Sequence, residues 1–135
     1  MNVIIKKCYD YDFDLVKQKI KEIMDELDLL NKINANSKVF IKLNCVGPFD
    51  YSLGITTHPV ILKAVLELVK EKTNNIIVGD NPATRDITFT LKKCGLYDII
   101  MYSTISISHD ELKDDAADYA VDAPKFEFNR LNLCF

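Results

Sequence analysis

The chain has no long apolar run, no large charge imbalance and no clustered cysteines, and each absence removes a class of function. No stretch of apolar residues reaches the length of a membrane span, and Lys6 and Lys7 follow the first apolar residues instead of preceding them, so neither a transmembrane segment nor a secretory signal is expected and the cytoplasm is the expected compartment. With 17 basic and 20 acidic residues mixed throughout and a net charge of -3, there is no basic stripe for a phosphate backbone and no polybasic run for a lipid surface. Nucleic acid and membrane are therefore not expected partners. The four cysteines (Cys8, Cys45, Cys94, Cys134) lie far apart, without a C-x-x-C or a cysteine/histidine cluster, so no structural zinc site or iron–sulfur loop is encoded locally and reduced thiols are expected. The glycine-rich dinucleotide and P-loop signatures are missing, as are Gly-x-Ser-x-Gly and His-Glu-x-x-His.

What is present is enough for one domain over residues 1–135, with 48% apolar residues to build a core. Asn2 to Cys8 is a short β-branched run that reads as a first strand. From Phe13 to Leu30, Val16, Ile20, Ile23, Met24, Leu27 and Leu30 recur at three- and four-residue spacing, which predicts an amphipathic helix capped by Asp12 or Asp14. Lys38 to Leu43 is apolar on both faces until Lys42, the pattern of a central parallel strand covered on both sides.

An eleven-residue connection, Cys45 to Ile55, then leads to Thr57-His58-Pro59, where proline suits a first helical turn and threonine can cap it. Val60, Ile61, Ala64, Val65, Leu68 and Val69 form the apolar stripe of that second helix. Ile76 to Val78 reads as a buried strand with Gly79 to Pro82 as its exit turn, and Thr84 to Cys94 as a helix ended by Gly95 in a left-handed position. Beyond an ambiguous Leu96 to Met101, Thr104 to Ser108 alternates like a strand, His109 to Ala117 reads as a polar turn or short helix, and Tyr119 to Asp122 and Lys125 to Leu133 are further strand candidates. Strands alternating with helices imply an α/β fold, a three-layer sandwich with a mostly parallel sheet and helices on both faces.

Ligands of such folds bind at the carboxyl ends of the strands. That edge collects Lys42 and Asn44, then Thr56, Thr57 and His58 at a helix start, then Asp80 and Asn81. The helix N-terminus with Thr56, Thr57 and Lys42 fits a phosphate or carboxylate, while the plainer reading makes Thr57 a cap and Thr56 a loop hydrogen bond. Lys42 and Asp80 form either a structural ion pair or, with a bound anion and Asn81, a site for Mg²⁺ on Asp80. His58 is a candidate general acid or base beside Lys42 and Asp80, or a capping residue; His109, in an acidic turn, is a weaker candidate. Cys45 is a buried inert thiol, or a reactive one if the helix dipole lowers its pKa.

The ordered set Lys42-Leu43-Asn44, Thr56-Thr57-His58-Pro59 with the helix after it, and Ile76 to Pro82 (I-I-V-G-D-N-P) resembles the bacterial and archaeal family called domain of unknown function 362, over roughly Val3 to Leu96. In that family a K-P-N, a T-x-P helix start and a V-G-D-S-P-type turn follow in this order. Leu43 replaces the usual proline, Asn81 stands where serine is common, and Ala83-Thr84-Arg85 replaces a glycine-rich continuation. Many members carry a ferredoxin-type cysteine module that this chain lacks, so no iron–sulfur cluster is expected in it. The resemblance implies an α/β domain with Lys42, Asn44, Thr56, Thr57, His58, Asp80 and Asn81 as site positions, and no established reaction. The family's domain also continues past this chain's last residue, which implies a truncated product, a half-domain completed by a second copy or another chain, or a minimal domain closed by Tyr119 to Leu133. Two functions follow as expectations: binding of a small anionic molecule, with or without a divalent metal, or service as an accessory partner of an iron–sulfur or redox system.

Overall fold

A computed structural model describes residues 3–80 and 86–102. Helix α1 (Phe13–Glu26) begins at Asp12, whose side chain accepts from the Leu15 N–H, and buries Val16, Ile20, Ile23 and Met24, the spacing of one helical face. It stops four residues before the expected end. Asp28 turns left-handed (φ 54°), Leu29 N–H reaches back to the Met24 carbonyl, and Leu30–Lys32 continue as one 3-10 turn that still buries Leu30.

Strand β1 (Val39–Lys42) and strand β2 (Ile76–Gly79) pair in parallel, Val39 opposite Ile76 and Lys42 opposite Gly79. Between them runs helix α2 (Pro59–Lys70), which completes a βαβ unit and shows the chain to be an α/β protein. Helix α2 is the centre of the core. Ile61, Leu62, Ala64, Val65, Leu66, Leu68 and Val69 are all buried, a band wide enough to meet α1 on one side and a later helix on another. Each leucine sealed this way contributes about 2 kcal/mol. Lys17 of α1 also reaches Glu67 of α2 at 2.8 Å.

Helix α3 (Ile87–Lys93), capped by Asp86, buries Ile87 and Leu91, with Cys94 behind them, the three inner positions expected. Gly95 ends it left-handed (φ 71°), and the ambiguous stretch after it is helix α4 (Tyr97–Tyr102), which packs on α2 and α3.

Two expectations fail. Val3 to Cys8 forms no strand: Val3 and Ile5 are 78% and 88% exposed, and Lys6 instead pairs with Glu22 and Glu26 of α1. A β-branched run becomes a strand only where a ladder receives it, and here helix carboxylates capture its lysine. In β1, Val39 and Ile41 are half-buried, but Phe40 on the opposite face is 44% exposed, so the strand alternates instead of being sealed on both sides. The candidate strands at Thr104 to Ser108, Tyr119 to Asp122 and Lys125 to Leu133, with the segment around His109, lie outside the described residues. No described helix is long and apolar enough to cross a membrane.

Candidate functional site

The parallel register decides the geometry of the site. Because Lys42 stands opposite Gly79, the next residue, Asp80, arrives beside the lysine ammonium: Nζ donates to Asp80 Oδ1 at 2.8 Å and to the Leu43 carbonyl at 2.9 Å. The second oxygen of Asp80 accepts from the buried Cys45 N–H. Asp80 is only 7% exposed by side chain, whereas Lys42 is 69% exposed. The carboxylate is thus a buried junction between β2 and the chain leaving β1, and the ammonium above it is pinned in place with two of its three donors engaged.

The connection after β1 is closed at its neck. Asn44 N–H donates to Thr57 Oγ1 at 2.8 Å, Thr57 N–H donates to the Asn44 carbonyl at 2.9 Å, and Cys45 and Thr56 form an antiparallel bridge. The Asn44 side chain donates to the Ile55 carbonyl at 3.1 Å. Thr56 is buried and, among the described residues, its hydroxyl has no partner, so it does not make the loop hydrogen bond of the plainer reading there.

Thr57 does not cap α2. His58 does, through Nδ1, which accepts from the Val60 N–H at 3.2 Å, while its carbonyl accepts from Ile61 and Leu62. Pro59 has no N–H, so every donor of the first turn is engaged by His58 and the expected cradle of unpaired helix N–H groups is absent. The ring lies stacked on Tyr11 (centroids 3.6 Å apart) and edge-on to Tyr51 (4.8 Å), and burial lowers its pKa below the ordinary histidine value. An acceptor Nδ1 puts the neutral ring's proton on Nε2.

Cys45 is 1% exposed, and burial, together with the neighbouring Cys94 thiol and Asp80, pushes its pKa up, the opposite of what an activated nucleophile needs. Asn81 and His109 lie outside the described residues. Among the described residues no three of histidine, cysteine, aspartate and glutamate stand together as a metal shell, and each Asp80 oxygen already accepts a hydrogen bond, one from Lys42 and one from the Cys45 N–H. A cleft of about 570 Å³ lies at the other edge of the sheet, lined by Ala35, Lys70 and residues 71–75, away from Lys42.

The structure thus brings Lys42, Asn44, Thr56, Thr57 and Asp80 to one edge, with His58 turned inward as a cap. Sequence reasoning missed Tyr11 and Tyr51 around His58, and the approach of Cys94 to the segment after Cys45, because these come from distant segments and carry no local signal. One comparison with known proteins is decisive: the family model described as Domain of unknown function (DUF362) matches residues 39–134, most of the chain, beginning at the first residue of β1. The chain belongs to this DUF362 family. The match starts later and runs further than the motifs above, and it contains the whole βαβ unit with Lys42, Asp80 and the excursion between β1 and α2. No curated protein and no solved structure matches.

Proposed function

We propose that this DUF362 domain binds an anionic small molecule, a phosphate or carboxylate, at the carboxyl edge of β1 and β2, and that it does so in the cytoplasm. One observation carries the reading: Lys42 is a mostly exposed ammonium fixed by Asp80 and the Leu43 carbonyl, with one donor left to offer among the described residues. A lysine that merely solvates a surface would not be held at both contacts. Asp80 acts here as the support of the lysine, and His58 shapes the helix start instead of transferring a proton.

Inorganic phosphate, acetate and Mg²⁺ titrated separately in a thermal-shift measurement test the reading, since a ligand of the native state alone raises the midpoint. Phosphate or acetate is expected to raise it at millimolar concentration in the native chain and not in Lys42→Met. A rise that persists in Lys42→Met, or no rise with either anion, overturns it. The second reading, an accessory partner of an iron–sulfur or redox system, then takes its place. It is favoured by exposed apolar side chains on the excursion after β1 (Val46, Phe49, Leu53, Ile55), a surface suited to a protein partner.

A further inference from the structure

Cys45 opens the excursion after β1, and Cys94 closes α3, nearly fifty residues later. The two side chains lie in the same core cluster, 1% and 0% exposed, and the Cys94 thiol donates to the carbonyl of Gly47, two residues past Cys45, at 3.4 Å. Both backbones are held where they stand. Cys45 N–H donates to Asp80, Cys94 N–H donates to the Thr90 carbonyl at 2.9 Å, and the left-handed Gly95 follows directly. Cys8, by contrast, is exposed.

We propose that Cys45 and Cys94 are a disulfide-forming pair, a redox modification site that ties the neck of the excursion to the end of α3 when an organic disulfide such as oxidised glutathione is in excess. One protein thiolate attacks the glutathione disulfide, breaking its S–S bond and releasing one glutathione thiolate. The second protein thiol, deprotonated, displaces the other glutathione. One S–S bond is formed and one is broken, the protein loses two electrons and two protons, and the glutathione disulfide takes them up as two thiols. Burial keeps both sulfurs from the oxidant in the closed molecule, so the first attack belongs to opened or folding molecules and the native contact then selects the partner.

The test uses the full chain, unfolded with reductant and refolded in mixtures of reduced and oxidised glutathione, with all four cysteines mapped by mass spectrometry of non-reduced peptides. The 45–94 linked peptide is expected to dominate over pairings with Cys8 or Cys134 and over glutathione adducts, and the oxidised protein to melt roughly 10 °C above the reduced one, because the bond closes a long loop of the unfolded chain. Cys94→Ala, if it folds, is expected to trap glutathione on Cys45 and to lose the rise. Refolded native chain carrying glutathione or free thiols at both positions, or a linked form that melts below the reduced one, overturns the proposal.

Discussion

Replacing Asp80 by alanine separates two contacts that its carboxylate makes among the described residues. Oδ1 holds an ammonium that is 69% exposed, and Oδ2 accepts from the N–H of Cys45, a residue that is 1% exposed. An ion pair with so exposed a partner contributes about 0–1 kcal/mol, because water replaces the lost contact readily. A buried N–H left without an acceptor costs about 1–3 kcal/mol. Asp80→Ala is therefore expected to destabilise the domain by about 2–3 kcal/mol, mostly through Cys45, and to lower Tm by roughly 10 °C for a chain of this length. Lys42→Met should cost less than about 1 kcal/mol, since the departing side chain opens Asp80 to water. Asp80→Asn retains an acceptor for Cys45 and should fall between them. Urea unfolding of the three variants, with midpoint and slope fitted together, gives the comparison. Equal losses in Asp80→Ala and Lys42→Met would refute the reasoning, because the buried backbone donor would then contribute nothing.

Two further outcomes follow from the packing around α2. Burial lowers the His58 pKa below its unfolded value near 6.5, so the unfolded chain binds the proton more readily; the stability due to His58 is complete above that value and is lost as pH falls from there toward the folded value. Thermal midpoints measured from pH 7.5 to 5 should show this loss, and His58→Asn, which keeps a capping side chain, should remove that part of the slope. Gly95→Ala is expected to cost about 1–2 kcal/mol in denaturant unfolding: φ is 71°, and the added Cβ would lie 3.1 Å from the Tyr51 ring and 3.3 Å from Pro59. A neutral result would show that Tyr51 yields freely.

The parts of this structure readable from the residues are those set by short-range periodicity. The face of α1 and the core-facing band of α2 follow from spacing of three and four residues, the left-handed end at Gly95 from a glycine placed after a helix, and the parallel pair β1–β2 from two apolar runs separated by a helix. The meeting of Lys42 and Asp80 was readable too, because two parallel strands of similar length place their exit residues together. What was not readable depends on which of several local choices the tertiary structure rewards. Thr57 and His58 are both acceptable caps, and the neck of the loop decides between them by taking the Thr57 hydroxyl for Asn44. Val3 to Cys8 has the residues of a strand, but pairing is a property of the neighbour, and its lysine finds α1 instead.

That same competition limits how tightly the proposed site can hold a ligand. The first-turn donors of α2 are taken by His58, the Asn44 N–H and the Thr57 N–H by each other's residue, and Asp80 by Lys42 and Cys45. Lys42 is left to make one charge-assisted hydrogen bond, worth about 1.5–3 kcal/mol. A dissociation constant of about 1 mM already needs about 4 kcal/mol, and one of about 1 μM needs about 8. Lys42 with the long-range field of the α2 dipole therefore accounts for millimolar binding of a bare ion and no more. A ligand held a thousandfold more tightly must have a body that makes further contacts beyond its anionic group, and the exposed Phe40, on the same face of β1 as Lys42, is the nearest apolar side chain along the strand that could supply one.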